Sequence, residues 1–494
     1  MFIGLSGLQA QQSALNVVGN NIANVNTPGY SREVASLTSN LSLGQGQAYF
    51  GTGVSLNDVT SIRDKYLDQH IAQATSAQSG STALYTGVSA ISTSVADSSS
   101  SGLAAQIQAF FQGFQSLAAN PESSAARTSV VSGAQSMINS LQANYQLLQQ
   151  QQSSANQTVG NLVAQVNTLT SQIAQLNQQI PPSDAQGSNN GAVDQRTTLT
   201  NQLAQLVGIN VVYGDKGQYQ IYLDSGNAAL VSGKSSFDLQ TAPGGPGNYL
   251  QVNSVMNGVT VDVTGSIKNG QLGAQLQLRD TTYVGYESQL DTLAAGIASQ
   301  VNLLNRSGYA ADGTTTGTDF FLGGLANAPT VLTAAQIAAG EVAGLPTNIS
   351  SLNNYKGMVN SLTVNAAVVS NPSLIAAAGV ANAAGDNTNA NAIANLQFTG
   401  GTNASGVVLG ASYSNVVGKL VSTVGNDSQR YQSQSTTQQN LVSALQTQRA
   451  QISGVSLDEE ATNMMNLQSG YQAAARFLSV INQLTAGLIT QFGG

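Results

Sequence analysis

One run of apolar residues constrains this chain more than anything else in it. Val131, Ala134, Ile138, Leu141, Tyr145, Leu148, Gln152, Ala155, Val159, Leu162, Val166, Leu169, Ile173, Leu176 and Ile180 follow one another in steps of three and four. That is the spacing of a helix with one apolar seam. Only Gln152 interrupts the seam, and Pro181-Pro182 stop it. At 1.5 Å per residue, an unbroken helix of this length measures roughly 75 Å. A helix so long without internal caps predicts a rod of coiled helices. Leu103, Ile107, Phe110, Phe114 and Leu117 form a shorter seam ahead of it, ended by Asn120-Pro121. Tyr286, Leu290, Leu293, Ile297, Val301 and Leu304 offer one partner stripe. Val417, Leu420, Val424, Tyr431, Leu441, Leu445 and Ile452 offer another, diluted by Gln434, Gln438 and Gln448. The rod is therefore expected to draw its helices from both halves of the chain.

The two ends of the sequence read as a matched pair. Near the start, Leu5, Leu8, Gln12, Leu15, Gly19 and Ile22 give a modest seam of the same spacing, closing at Asn24-Val25-Asn26-Thr27-Pro28-Gly29-Tyr30. Asn24 is a fair helix terminator. Thr27-Pro28-Gly29-Tyr30 fits a type II turn, with Pro second and Gly supplying positive φ third. Residues 31–60 look extended, and Val54 and Leu56 alternate as in a short strand. The last helix opens with Ser456-Leu457-Asp458-Glu459, a capping box in which Glu turns back to the Ser amide. Asp458, Glu459 and Glu460 also suit the positive end of the helix dipole. Its seam runs Leu467, Tyr471, Ala474, Leu478, Ile481, Thr485, Leu488. These end helices have no evident internal partner except each other, and two helices alone make a marginal core. Packing of each pair onto neighbouring molecules would complete the burial. A heterologous contact of that kind generates a ring or an open helical array.

Between the helices lie two inserts. In residues 206–270, Ile209, Val211 and Tyr213 alternate, Gly214-Asp215-Lys216-Gly217 turns, and Tyr219, Ile221 and Leu223 alternate again. More short strands are expected around Leu250–Val263. Residues 320–405 are rich in Ala, Asn and Gly and read as a second small insert. The expected fold class is mainly α with β-rich inserts. Its division is a terminal helical assembly domain (1–60 with 454–494), an elongated helical bundle (61–205, 271–319 and 406–453), a β-rich insert (206–270) and the insert 320–405.

Composition excludes several functions. The chain has 494 residues, a formal net charge of −8 and only 8% charged residues. It has no run of Lys or Arg, so a nucleic-acid groove is not expected. It has no cysteine, which removes disulfides, thiolate zinc sites and Cys nucleophiles. No stretch of about 20 apolar residues predicts a membrane span. The first basic residue is Arg32, so the positive region of a cleaved secretory signal is missing. His70 is the single histidine and sits in a charged stretch that reads as an exposed helix face. Asp458, Glu459 and Glu460 are explained by a helix cap without catalysis. Asp312-Gly313 with Asp319 lacks the acidic alternation of a calcium loop and reads as a turn. No catalytic, cofactor or metal residue is expected.

The residues of the two ends carry a resemblance. Ala23-Asn24-Val25-Asn26-Thr27-Pro28-Gly29-Tyr30 resembles the N-terminal signature of the bacterial flagellar rod, hook and junction proteins. Ser31-Arg32 follows it, with Arg63 beyond. The stretch Ile173 to Ile180, then Asp194-Gln195-Arg196 and Leu203 to Val212, is similar to the long helix, loop and β-domain entry of the junction members. Thr197 stands where those members commonly have an acid. Gly454-Val455-Ser456-Leu457-Asp458-Glu459-Glu460, Gln468 and Tyr471-Gln472-Ala473 resemble their C-terminal signature. Asn302, Gly308, Gly313 and Phe320-Phe321 also sit as expected. The resemblance implies a non-enzymatic axial subunit at the hook–filament junction, exported through the flagellar type III channel without signal cleavage. It implies self-association in a ring-like zone, the hook protein below, the next hook-associated protein above, and an export chaperone on the C-terminal region. The Ser-Leu-Asp-Glu-Glu cap and the long heptad argue against the hook protein. The Thr-Pro-Gly-Tyr signature argues against the third hook-associated protein. A secreted adhesin would need an anchor, and none is found.

Overall fold

The computed structural model describes residues 2–45, 48–95, 99–180, 189–214, 218–256, 258–323, 356–399 and 412–492. Pro181-Pro182, Asp215–Gly217 and much of 320–405 lie outside them. In chain order the elements open with α1 (Phe2–Ala23), β1 (Glu33–Ser39), β2 (Leu43–Gln45), β3 (Ala48–Phe50) and β4 (Val54–Ser61). The helices α2 (Lys65–Val95), α3 (Leu103–Ala119), α4 (Ser124–Gln179) and α5 (Asn190–Leu206) follow. Then come β5 (Ile209–Tyr213), β6 (Tyr219–Leu223), β7 (Ala229–Ser232), β8 (Ser235–Ser236), β9 (Leu239–Pro243), β10 (Leu250–Met256) and β11 (Val259–Asp262). After these lie α6 (Gly270–Gln277), α7 (Tyr283–Ser307), β12 (Phe321–Leu322), α8 (Met358–Ser361), β13 (Thr363–Val364) and α9 (Ala366–Ser370). The chain closes with α10 (Thr388–Thr399), α11 (Tyr413–Ser453) and α12 (Leu457–Phe492). They form two compact units, Met1–Ser81 with Val159–Ala274 and Gln434–Gly494, and Thr82–Thr158 with Gln275–Ser433.

The long seam becomes one helix, α4, of 56 residues. Every seam position from Val131 to Ile180 is buried except Leu169, where the neighbouring Thr170 turns inward instead. A straight helix drifts against a strict seven-residue repeat, and this one-residue slip absorbs the drift. Gln152 is also buried. Its amide donates to Arg279 O at 3.3 Å and to Glu287 Oε2 at 3.5 Å, so the one polar seam residue is hydrogen-bonded within its unit.

In that second unit, the core is aromatic. Phe110, Phe111, Phe114, Phe320, Phe321 and Tyr413 are all fully buried. The Phe111 and Tyr413 rings stack at 5.7 Å, and the Tyr413 hydroxyl donates to Gly296 O at 2.8 Å. Asn302 holds the Phe320-Phe321 strand. It donates to Phe321 O at 2.8 Å and accepts from the Phe320 and Phe321 amides at 2.9 and 2.8 Å. The described part of 320–405 packs into this unit, with α10 lying on α3 and α7 and Ile393 fully buried. Asp312 accepts from the Thr314 and Thr315 amides in a turn where Gly313 has φ 72°, and Asp319 pairs with Arg306.

In the first unit, β5 and β6 pair antiparallel with Ile209 opposite Leu223, Val211 opposite Ile221 and Tyr213 opposite Tyr219. They continue into a four-stranded sheet of order β5-β6-β7-β8, beside a three-stranded β11-β10-β9 sheet. Asn177 of α4 ties the first sheet to the helix, donating to Tyr219 O and Gly233 O. Arg196 donates to Asn177 Oδ1 at 2.7 Å and lies 3.6 Å over the Tyr219 ring. His70 is exposed, as its charged surroundings predict. Among the described residues no cluster of His, Cys, Asp or Glu could hold a metal, and no helix is long and apolar enough to cross a membrane.

Candidate assembly site at the paired chain ends

Helices α1 and α12 pack against each other, and their register is antiparallel. A Cβ placed on Gly4 would lie 2.9 Å from Leu478 Cγ and Phe477 Cδ1. One on Gly7 would meet Ala474, and one on Gly470 would meet Gln11. The approach is close because small residues line it. The buried face of α1 is Gly4, Ala10, Ala14, Val17, Val18 and Asn21. Leu5, Leu8, Leu15 and Ile22, read from the sequence as a seam, lie on its flanks: Leu5 is exposed, and the other three are half-buried. On α12 the sequence-predicted row faces α1. Leu467, Tyr471, Ala474, Leu478 and Ile481 are half-buried, while Leu488 is exposed. A second apolar row on α12 is open: Phe477 (47% exposed), Val480, Leu484, Leu488 and Ile489 (66%).

The turn after α1 follows from its sequence. Asn24 closes the helix by donating to Asn20 O at 3.0 Å, and Thr27 Oγ1 donates to Asn24 Oδ1 at 3.1 Å. The Tyr30 amide donates to Thr27 O at 3.2 Å, with Gly29 at φ +86°. A Cβ on Gly29 would lie 2.5 Å from Thr198 Oγ1, so glycine is required twice over. Gly29→Ala is expected to cost about 1–3 kcal/mol, measured as a lowered melting temperature of the full chain. Asn26, Thr27 and Pro28 are exposed, and Gly29 and Tyr30 half-buried.

Beneath the turn sits a buried polar junction. Asn21 is 1% exposed and uses both ends of its amide. Its Oδ1 accepts from the Tyr30 hydroxyl at 2.8 Å and the Glu33 amide at 2.9 Å. Its Nδ2 donates to Glu33 O at 2.9 Å and to Glu460 Oε2 at 3.2 Å. Arg32 Nε donates to Glu460 Oε1 and its Nη1 to Glu459 Oε2, both at 2.8 Å. Glu459 therefore goes to Arg32 rather than back to the Ser456 amide. The expected capping box is not made, because Arg32, held in place by the buried Glu460, already presents its guanidinium to that carboxylate. Ser456 and Asp458 are exposed.

Arg449 donates to Asp68 Oδ1, Gly29 O and Ser31 Oγ, and the buried Ser31 amide donates to Asp194 Oδ2. Asp194 also pairs with Arg63, whose Nη1 donates to Thr197 Oγ1 at 3.2 Å. Thr197 thus supplies an acceptor to Arg63. Burial pushes the Tyr30 phenol well above its ordinary range, reinforced by Glu33, Asp194 and Glu460, so it stays a donor. Burial raises Asp68 and Asp194 as well, opposed by Arg449 and Arg63 respectively. Asn21, Asp68, Arg449 and Glu460 were not singled out by sequence as a junction. Asn21 and Glu460 are 439 residues apart and Asp68 and Arg449 381 apart, so no local pattern could join them.

Three family profiles match this chain. The flagellar hook-associated protein FlgK helical domain covers residues 88–321, the flagella basal body rod protein 1–30, and the flagellar basal body rod FlgEFG protein C-terminal region 441–490. The flagellar hook-associated protein 1 of Escherichia coli strain K12 is 30% identical over 98% of this chain and 98% of that protein. Its counterpart in Bacillus subtilis strain 168 is 28% identical over 100% of this chain and 98% of its own. Among solved structures, the flagellar hook junction protein FlgK from Burkholderia pseudomallei has the same fold. It matches at a TM-score of 0.63 and 20% identity, over 78% of this chain and 100% of that one. With profiles on both end helices and on the bundle, and relatives aligned from end to end, the chain belongs to the flagellar hook-associated protein 1 family.

Proposed function

We propose that this chain is a structural subunit of the bacterial flagellum that joins hook to filament, with its paired end helices as the assembly domain. One observation carries the assembly role. From Phe477 to Phe492, α12 has no charged residue, and its row of Phe477, Val480, Leu484, Leu488 and Ile489 is exposed. Full burial of such a side chain contributes about 1.5–3 kcal/mol. Covering the row on neighbouring subunits offsets the entropy of ordering the ends. The exposed Leu5 and the half-buried Leu8, Leu15 and Ile22 on α1 add to the same surface. The hook protein below, the next hook-associated protein above and copies of this chain are the expected neighbours. An export chaperone that covers the apolar row before assembly fits the same chemistry, as does export through the flagellar channel without signal cleavage. The function is non-enzymatic.

Deleting the gene is expected to leave hooks intact while filament protein is shed into the medium. A chain carrying Leu484→Asp and Leu488→Asp is expected to keep its melting temperature and fail to restore filaments. Retained filaments in the deletion strain would refute the reading.

A further inference from the structure

In the second unit, a small buried polar cluster holds residues 356–364 against α7 and α4. Gly357 takes φ 83°, in the region that favours glycine. The Gly357 and Val359 amides both donate to Asp291 of α7 at 2.9 Å, and the Tyr145 hydroxyl of α4 donates to the same carboxylate. Gln142 of α4 donates to Val359 O at 3.2 Å and to Leu362 O at 3.3 Å. Met358 and Val359 are fully buried, and β13 then pairs with β12. One carboxylate, Asp291, thus caps the start of α8 from a different helix.

One helical turn before Asp291, Glu287 enters the same cluster with little to balance a charge. It is 6% exposed, and its Oε1 is buried without a partner. Its Oε2 accepts from the Gln152 amide at 3.5 Å. The titratable groups facing it are Asp291 on α7, Tyr145 on α4 and Lys356 on the seated segment. Lys356 is exposed, at the edge of the cluster. Arg279, whose carbonyl shares the Gln152 amide, turns its guanidinium to Asp280 and Asn156. Burial, then the Asp291 charge, push the Glu287 carboxyl up to about 7. An ionised Glu287 would be a buried charge one turn from a like charge. Such a charge is relieved by moving the wall that is easiest to move. Helices α4 and α7 run for 56 and 25 residues and are packed along their length. The segment at 356–364 carries a helix of four residues and hangs on the bonds just named.

We propose that Glu287 and Asp291 form a proton-operated latch: protonated Glu287 keeps residues 356–364 seated on α7 and α4, and loss of that proton unseats them while the rest of the unit stays folded. The latch lies in the second unit and is independent of the assembly role proposed for the chain ends.

Amide hydrogen exchange of the full-length chain tests this, read as protection factors so that the intrinsic pH dependence divides out. From about pH 5 to about pH 8, protection of residues 357–362 is expected to fall by roughly tenfold or more, while that of α3 stays constant. Glu287→Gln is expected to remove most of that fall. Lys356→Met, a surface change, is expected to move the midpoint of the fall to higher pH, because the ammonium favours the charged carboxyl. A fall in Glu287→Gln as large as the parent's overturns the latch. So does constant protection in the parent. A fall in α3 that keeps pace with 357–362 overturns it too, because the whole unit is then opening. An unmoved midpoint in Lys356→Met overturns the assignment to this cluster even where Glu287→Gln fails to fold.

Discussion

Arg32→Ala is expected to destabilise the unit holding the paired ends by roughly 3–5 kcal/mol, read as a lowered denaturant midpoint at unchanged slope. Glu460 is 1% exposed, and Arg32 is its only cationic partner among the described residues. Removing the guanidinium leaves a buried carboxylate with one amide donor, Asn21 Nδ2 at 3.2 Å. The bond from Arg32 to Glu459 matters less, because the Glu459 side chain is 59% exposed and such pairs contribute under about 1 kcal/mol. The effect also travels. Asn21 touches Glu460, Tyr30 and Glu33, so loosening Glu460 frees the start of α12 from both the turn and β1. The double variant Arg32→Met with Glu460→Leu removes both charges and is expected to return within about 1–2 kcal/mol of the parent. A single variant that unfolds with the parent would show that the pair is not structural. Filament attachment should follow stability, lost in the single variant and recovered in the double.

What the sequence revealed here was whatever repeats locally. The step of three and four gave α4 from Val131 to its end, though the helix already starts at Ser124, and strict alternation gave the strands β5 and β6. Asn24 and Gly29 announced the turn, because a helix stop and a positive φ each need a particular residue type. The packed face of α1 was hidden for a different reason. Periodicity searches favour large apolar residues and so found Leu5, Leu8, Leu15 and Ile22, whereas the contact with α12 uses Gly4, Ala10 and Ala14 to bring two backbones close. Small residues carry little hydrophobic signal even when they set the packing. The capping box failed because its Glu459 had a competitor, Arg32, 427 residues away. Nothing local to Ser456 reports that competition. The same holds for Arg449, which reads as a solvated helix charge until Asp68, Gly29 and Ser31 are brought beside it.

Raising the pH from about 4.5 to about 7 is expected to weaken the second unit by up to about 3 kcal/mol through one carboxyl group. Glu287 lies on α7, 6% exposed, four residues from Asp291, which is 1% exposed. Burial first, and the Asp291 charge second, push the Glu287 carboxyl from 4.5 up to about 7. Lys356 and the Gln152 amide oppose the shift without cancelling it. Burial raises the Asp291 carboxyl as well, opposed by the Val359 and Gly357 amides that donate to it, both at 2.9 Å. Glu287 Oε1 is buried with no partner, so the proton belongs on Glu287. The sign follows from which state holds the proton. Between about 4.5 and 7 the folded chain keeps it while the unfolded chain has lost it. Stability due to this group is therefore complete at low pH and disappears as pH rises through the folded value. Burial raises Asp291 in the same unit, and Asp68 and Asp194 in the other, in the same direction, so the informative quantity is the difference between the parent and Glu287→Gln. The glutamine keeps the shape and cannot ionise. The variant is expected to be the more stable chain at pH 8 and to lose that advantage near pH 4.5. Parallel stability curves for the two chains across this range would mean that Glu287 is already ionised in the folded state.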